Sequence, residues 1–292
     1  MPAFNYVDSF QTVLQQKYTQ ELTSADLTSD KLQWMDAKTI KLPRLDVAGY
    51  KDHSRSGGWN RQSIQNDFEP KVLQHDRNVE FYVDAMDVDE TNQILSAANV
   101  TNVFETEQAI PELDKFRYSK LFSEHSTFGG TPNTTVLDIT NVLKVYDKLM
   151  EDMDEASVPE AGRILYATPS VHTLLKQAED IRRITSVDSN NGTVNRVVRS
   201  LDDVRLKKVP SDRMKTVYDF SDGAVPGVGA KQINMILVHP SAVKAPIKHS
   251  AIYLWSPGSH TGGDGWLYQN RSYTDLFVIE RKVKGVQINV QA

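Results

Sequence analysis

The spacing of apolar and polar residues divides the chain into strand-like, helix-like and irregular segments. Residues 39–42 and 79–83 alternate between apolar and polar side chains, which predicts a strand at each place. Residues 43–78 between them are mostly polar, and a structureless segment of that length is uncommon inside a compact domain. Two interpretations stay open, a flexible surface loop and a long hairpin that reaches beyond its own domain. The hairpin is favoured by large apolar side chains, which disordered segments seldom carry: Tyr50, Trp59, Ile64, Phe68 and Val72.

Helical spacing of apolar residues predicts helices over 90–125, 137–153 and 170–178. Pro111 interrupts the first of them, where it either kinks one long helix or occupies the first turn of a second. Further strands are predicted over 163–167, 204–209, 232–238, 276–280 and 283–290, and loops over the Gly-rich segments 222–230 and 256–265. Helices and strands are interspersed without a regular βαβ rhythm, so the predicted fold class is α+β.

Residues 1–36 carry few apolar positions and differ from the rest of the chain. Tyr6, Phe10, Val13, Leu14 and Lys17 have the spacing of a short amphipathic helix. Such a helix is too short and too sparse to form a core. We interpret the segment as an arm that needs another surface to pack on.

Composition and charge narrow the function classes. The chain has 292 residues, of which 39% are hydrophobic and 24% charged, as is typical of a folded globular protein. The absence of cysteine excludes disulfides and cysteine-based nucleophiles or metal sites. The net charge of −5 lacks the positive excess of proteins that grip DNA by its phosphates. We expect no secretory signal and no membrane partner, because the N-terminal residues lack a signal pattern and apolar stretches stay well below about 18 residues.

Motifs for catalysis or cofactor binding are incomplete throughout the sequence. The run 227–230 resembles half of a dinucleotide loop but lacks the helix spacing that should follow it. The carboxylates of 84–90 lack the spacing of an EF-hand and are interpreted as the acidic start of a helix. The seven histidines form no short-spaced ligand pair, and no nucleophile elbow is present. We therefore predict no catalytic, cofactor-binding or metal site, and a protein that is not an enzyme.

Four segments resemble the major capsid proteins of tailed phages that infect Gram-positive bacteria. They are 81–90, 111–121, 209–214 and 236–243, the last followed by Lys248, His249 and Ser250. The first is similar to that family's strand exit, with its acidic run leading into a helix, and the second to its long "spine" helix. The order and spacing of the segments carry the resemblance, which covers about 35–290.

The resemblance implies an α+β fold of the Hong Kong phage capsid type. Residues 1–36 would form the N-terminal arm and 37–84 an extended β-hairpin loop with its flanking strands. Residues 85–132 would form a peripheral domain whose spine helix lies at about 101–124. Residues 133–270 would form an axial domain, and 271–292 would return to the peripheral domain as strands.

The implied function is that of a structural major capsid protein. It would self-assemble into hexamers and pentamers of an icosahedral phage head that encloses double-stranded DNA. Its place would be the virion capsid, and the host cytoplasm during assembly. Partners would be copies of itself, a portal, a separate scaffolding protein, since little room precedes residue 37 for a built-in one, and nearby DNA without sequence-specific binding. The alternatives are an encapsulin-like nanocompartment shell and, more distantly, an unrecognised hydrolase.

One hypothesis concerns the contacts between subunits in such a shell. Lys51, Arg55 and Arg61, together with Trp59, would make the extended loop a locally basic element. The acidic residues near the spine helix would receive it from a neighbouring subunit: Asp87, Asp89, Glu105 and Glu112. The alternative is that these charges only solvate exposed surface.

Overall fold

A computed structural model describes residues 21–29, 34, 36, 38–53, 57, 59–86, 97–178, 187–188, 193–194 and 200–292. It confirms the α+β class. The α-helices are α1 (Ala97–Phe104), α2 (Ile110–Thr127), α3 (Val142–Glu155) and α4 (Pro169–Gln177). The first eight strands are β1 (Thr39–Val47), β2 (Ile64–Val72), β3 (His75–Asp84), β4 (Ile164–Ala167), β5 (Val187–Asp188), β6 (Thr193–Val194), β7 (Ser200–Leu201) and β8 (Val204–Lys208). The remaining strands are β9 (Tyr218–Asp219), β10 (Val225–Pro226), β11 (Ile233–Val238), β12 (Val243–Lys244), β13 (Ile247–Trp255), β14 (Gly265–Thr274), β15 (Phe277–Val278) and β16 (Val286–Val290).

A five-stranded sheet in the order β16-β11-β4-β8-β7 lies at the centre of the main core. Alternate side chains of β4 and β11 enter two different apolar clusters, one on each face of the sheet. Tyr118 and Leu121 of α2 cover one face, while α3 and α4 cover the other. Burial on both faces explains why these two strands read as nearly continuous apolar runs.

One long helix, 97–127, consists of α1, a π-helical turn at Glu105–Ala109 and α2, and we call it the spine helix. Pro111 therefore neither ends the helix nor starts a separate one. Its ring cannot donate a backbone hydrogen bond and crowds the carbonyl one turn earlier, and the wider π turn just before it accommodates both effects.

A second sheet, in the order β13-β14-β3, packs against the first half of the spine helix. Strand pairing in the two sheets joins segments that the expected division assigns to different domains, and that division stays a prediction. β14 pairs along its whole length with β3, so residues of the expected axial domain complete a sheet that begins in 37–84. The last strand, β16, joins the five-stranded sheet beside β11, and all five of its residues are buried there, including the polar Gln287 and Asn289.

β1 and β2 form a two-stranded antiparallel hairpin, in full register from Thr39↔Val72 to Val47↔Ile64. Only its base is anchored in a core, through a small cluster that includes Ile40, Leu42 and Leu73. Two hydrogen bonds fix the link to β3: the Tyr273 hydroxyl donates to the Leu73 carbonyl at 2.8 Å, and Gln74 N–H donates to the Asp275 carboxylate at 2.8 Å.

Residues 21–29 pack on the body of their own chain, which corrects the expectation that all of 1–36 needs another surface. Leu27 enters the main core. The buried Asp114 carboxylate of the spine helix accepts hydrogen bonds from the backbone N–H groups of Thr23 and Ser24, at 3.1 and 3.0 Å. Arg213 forms an ion pair with Asp114 at 2.8 Å, and both side chains are almost wholly buried. Residues 1–20 lie outside the described residues.

Two predicted elements begin later than their sequence pattern indicated. The helix expected from residue 137 begins at Val142, because the Asp138 side chain accepts hydrogen bonds from the backbone of Thr140 and Asn141 and forms a turn there. The strand expected from residue 283 begins at Val286, and a 3₁₀ helix occupies Glu280–Gly285. Strands β13 and β14 were not predicted at all.

The first prediction concerns the buried ion pair. Asp114→Asn should lower the free energy of unfolding by about 3–5 kcal/mol, because the buried Arg213 would lose the carboxylate with which it forms a hydrogen-bonded ion pair. Urea unfolding of the purified subunit measures this. Arg271→Ala is the control: it removes the exposed ion pair with Asp76, for which a loss of less than about 1 kcal/mol is expected. Equal losses in the two variants would contradict the importance of the buried pair.

The second prediction concerns two histidines next to the spine helix and within it, the partly buried His75 and the buried His125. His75 stacks on Phe116 at 3.7 Å, and burial lowers its pKa to about 4. Burial likewise lowers the pKa of His125 to about 4. Because the unfolded chain binds these protons near pH 6.5 and the folded chain only near pH 4, stability should be full above pH 6.5 and fall as the pH drops toward 4.

Urea unfolding between pH 7.5 and 4.5 measures this loss, which should amount to a few kcal/mol for the pair, on the order of 1.4 kcal/mol for each unit of pKa shift. His75→Phe keeps the ring stack and removes the titrating group, so its stability should depend less steeply on pH. A pH dependence identical to that of the unmodified chain would show that His75 makes no such contribution.

Candidate assembly surface

The β1–β2 hairpin exposes an apolar face to solvent. Because side chains alternate along a strand, the odd positions of β1 and the even positions of β2 project to the same side. This side carries the apolar residues Pro43, Leu45, Val47, Ile64, Phe68, Pro70 and Val72, together with the polar residues Thr39, Lys41 and Asn66. Between 44% and 69% of the surface of its five largest apolar members is exposed: Leu45, Val47, Ile64, Phe68 and Val72. Monomeric proteins rarely leave a contiguous apolar face uncovered, so this arrangement is typical of a contact surface.

The opposite face of the hairpin is charged beyond its anchored base. It carries the ion pairs Arg44–Asp46 and Lys71–Glu69, at 3.4 and 2.6 Å. Arg281, from the 3₁₀ helix before β16, also pairs with Asp46, and this hydrogen-bonded contact lowers the pKa of that carboxyl. The charged face is thus tied to the body of its own chain, and the apolar face lies on the other side.

The tip of the hairpin carries the basic and aromatic residues that the sequence singled out. Lys51 and Arg61 are exposed, and Trp59 is 95% exposed. Arg55 lies outside the described residues. A tryptophan with almost no intrachain contact is costly to leave in water, which supports the view that the tip contacts a partner.

The predicted acidic partners have contacts of their own. The Glu112 carboxylate accepts a hydrogen bond from Arg77 at 2.6 Å, and Glu105 accepts hydrogen bonds from the Tyr268 hydroxyl at 3.1 Å and from the Asn270 amide. Asp87 and Asp89 lie outside the described residues. A loop from another subunit would have to share or replace the contacts of Glu105 and Glu112, so the charge-pairing hypothesis stays a prediction.

A second exposed group of apolar side chains lies on the sheet β13-β14-β3. Tyr82, Tyr253 and Trp255 are 42%, 50% and 39% exposed on the face turned away from the spine helix. The Trp255 indole donates a hydrogen bond to the Gln269 side chain at 3.2 Å, which fixes the ring at the surface. This aromatic group is a further candidate contact.

Few groups of side chains in the described part of the chain could form a catalytic or metal-binding site. A cavity of about 730 Å³ beside α3 is lined by carboxylates, among them Asp147 and Asp202, and burial with the neighbouring charge of Asp202 raises the pKa of Asp147. The described residues nevertheless contain no group of three or more side chains placed to hold a metal ion. Among the described helices, none has the length and apolar character needed to cross a bilayer.

The apolar face was not predicted from the sequence, although a signal was present. Ile64 and Phe68 stood out only as single apolar residues of a polar segment. Pro43, Leu45 and Val47 alternate in β1, and only the register of the hairpin brings them to the same side as Ile64 and Phe68. A search for alternation that continues past residue 42 would have found half of the surface.

Comparisons with solved structures match the chain along nearly its whole length. A structure from Mycobacterium phage Che8 has 14% identical residues and a TM-score of 0.66, with 98% of each chain covered. The mature capsid of bacteriophage PhiM1 has 13% identity and a TM-score of 0.72, with 99% of this chain and 92% of that chain covered. The capsid of the cyanophage P-SCSP1u has 11% identity and a TM-score of 0.71, with 98% and 93% covered.

At the level of sequence, no protein-family model and no curated protein matches the chain. At such low identity the structural matches establish the fold. The chain therefore has the fold of these phage capsid structures, as its sequence resemblance implied.

Proposed function

We propose that this chain is the major capsid protein of a tailed phage, a structural subunit that self-assembles into the hexamers and pentamers of an icosahedral head. The main observation in support of this proposal is that the fold matches a mature phage capsid over 99% of the chain. No observation favours the encapsulin-like shell or the hydrolase.

The exposed hairpin supports the same proposal from the physics of the chain. Its apolar face and Trp59 are exposed, and the described part of the chain's body contacts the base of the hairpin and, through Arg281, its charged face. In a closed ring, each subunit gives its hairpin to one neighbour and receives another in return. Contacts that are weak one by one then hold the shell together, because each subunit is held at several places at once.

In this proposal, the charged residues align the tip of the hairpin with the neighbouring subunit. Lys51, Arg55 and Arg61 would meet acidic residues of a neighbouring subunit, for which the sequence offers Asp87, Asp89, Glu105 and Glu112. Trp59 would insert beside them. Charge complementarity of this kind selects the correct alignment more than it adds affinity.

The remaining partners follow from the same role. A separate scaffolding protein and a portal would act during assembly in the host cytoplasm, and the finished shell would enclose double-stranded DNA in the virion. The net charge of −5 suits an inner surface past which DNA must slide during packaging. The protein would then act by assembly and not as an enzyme.

Electron microscopy of the purified chain, alone and with the scaffolding protein of the same phage, tests the proposal. We expect closed shells built from rings of six and five subunits in at least one of the two conditions. A protein that stays a monomer in both would overturn the proposal.

The third prediction tests the apolar face of the hairpin. Ile64→Asp should reduce the fraction of assembled subunits by tenfold or more, because burying one such side chain is worth about 1.5–3 kcal/mol. Gln65→Asp is the matched control, since it adds the same charge one residue away on the opposite face. Sedimentation measures assembly, and thermal unfolding of the monomer should be unchanged in both variants. Equal assembly of the two variants would contradict a role for this face.

The fourth prediction tests the charges at the tip. Arg55→Glu together with Arg61→Glu should weaken assembly at low salt by a factor of about 2–30, since exposed ion pairs contribute roughly 0.2–1 kcal/mol each. The defect should shrink as salt is raised, because exposed charges are then screened. Normal shells from this double variant at low salt would refute the proposed pairing.

A further inference from the structure

A cavity of about 710 Å³ lies between the first half of the spine helix and the sheet β13-β14-β3. Both walls contribute apolar side chains, namely Phe81, Phe104, Ile110, Leu113, Ile247 and Ile252. Voids between packed layers are ordinarily no larger than a water molecule. The two layers therefore meet only in part, and the space between them is large enough for several side chains.

The helix and the sheet are both incompletely covered at this place. From residue 99 to residue 113 each side chain of the spine helix is at least partly exposed, whereas most positions from Asp114 to Leu121 are buried. Ile247 and Ile252 line the cavity, yet 44% and 52% of their surface is exposed. Among the described residues, none forms an apolar layer between the two walls.

The N-terminal part of the described chain reaches the edge of this cavity. Leu22 is one of the lining residues. The next two residues, Thr23 and Ser24, are held by the Asp114 carboxylate, and Leu113 beside it also lines the cavity. The residues that precede Leu22 therefore start at the edge of the cavity.

We propose that residues 6–17 dock into this cavity of their own chain as a short amphipathic helix. Its apolar positions are Tyr6, Phe10, Val13 and Leu14, which have helical spacing. A helix from Tyr6 to Leu14 is about 12 Å long at 1.5 Å per residue, and the wall from Phe104 to Leu113 has about the same length.

The tether explains why the occupant is the chain's own segment and not that of a second copy. Residues 15–21 can span at most about 25 Å when extended, so the helix cannot move far from the cavity. A short tether raises the effective concentration of a docking segment to the millimolar range, far above that of other subunits before assembly. Docking would fill the space between helix and sheet and complete this part of the core in each subunit.

The absence of cysteine in the chain permits a direct test. The full-length variant Val13→Cys/Ile252→Cys places one thiol on the docking helix and one on the cavity wall. Mild oxidation of dilute, unassembled subunits should yield an intrachain disulfide, detected by mass and by faster migration on non-reducing electrophoresis. The control is Val13→Cys/Ala251→Cys, in which the second thiol lies on the neighbouring residue of β13 but on the opposite face of the sheet. We expect at least tenfold less product from the control.

An equimolar mixture of the single variants Val13→Cys and Ile252→Cys distinguishes the possible occupants. A disulfide-linked dimer in this mixture would show that a second copy fills the cavity, and would overturn the proposal. Equal product from the 252 and 251 pairs, or none from either, would also overturn it.

Hydrogen exchange gives a second readout that does not depend on thiol geometry. Val13→Asp/Leu14→Asp should reduce the protection of amides in 99–113 by tenfold or more, and leave those in 114–127 unchanged. Unchanged protection in both parts of the spine helix would contradict docking.

Discussion

A two-stranded hairpin cannot bury both of its faces by itself. A stable sheet needs a third strand or a second layer against its apolar side. β1 and β2 have neither beyond their base, and yet their side chains form one apolar and one charged face in full register. The charged face is tied to the body of the chain through Asp46 and Arg281. The uncovered apolar face is the feature from which the interpretation of this protein as an assembling subunit follows.

The body of the subunit differs in kind from the hairpin. Helices cover both faces of its central sheet, and the Asp114–Arg213 pair holds residues 21–29 against the spine helix. Breaking a buried, hydrogen-bonded pair costs several kcal/mol, whereas exposed pairs contribute less than one. The described part of the molecule therefore combines a packed core with a projecting hairpin. It is less dependent on neighbours than its polar N-terminal sequence indicated, since Leu27, Thr23 and Ser24 are buried by their own chain.

Local sequence patterns predicted the elements whose signal is strong. β4 and β11 were visible because burial on both faces makes them continuous apolar runs, and α3 and α4 because their apolar residues recur on one face. β13 and β14 were missed, since a strand with one exposed face and polar residues such as Asn270 and Arg271 on both sides shows no clear alternation. The start of α3 was predicted too early, because the turn formed by Asp138 delays the helix and leaves no trace in the spacing of apolar residues.

The candidate site could be predicted only in part, for a related reason. The long polar segment marked the hairpin, and Trp59 marked its tip. The apolar face depends on which residues of β1 lie opposite which residues of β2, and such long-range pairing is invisible to a reading of neighbouring positions. In the same way, the intrachain contacts of Glu105 and Glu112 come from distant residues, Tyr268 and Arg77. The charged residues can be read from the sequence, but only the fold shows which of them already have contacts within the chain.

The way in which the hairpin is held has a mechanical consequence. Its base is fixed by a small cluster and by two hydrogen bonds at the adjacent residues Leu73 and Gln74, and strands of this length extend about 30 Å beyond that point. Beyond the base, the hairpin is tied to the body by the exposed ion pair of Asp46 and Arg281, which contributes little to stability and can open. Once that pair opens, the hairpin is a lever with a short fixed end, and a rotation of about 10° at the base displaces the tip by about 5 Å. Identical chains can thus meet neighbours at different angles, as a closed surface with both five-fold and six-fold rings requires.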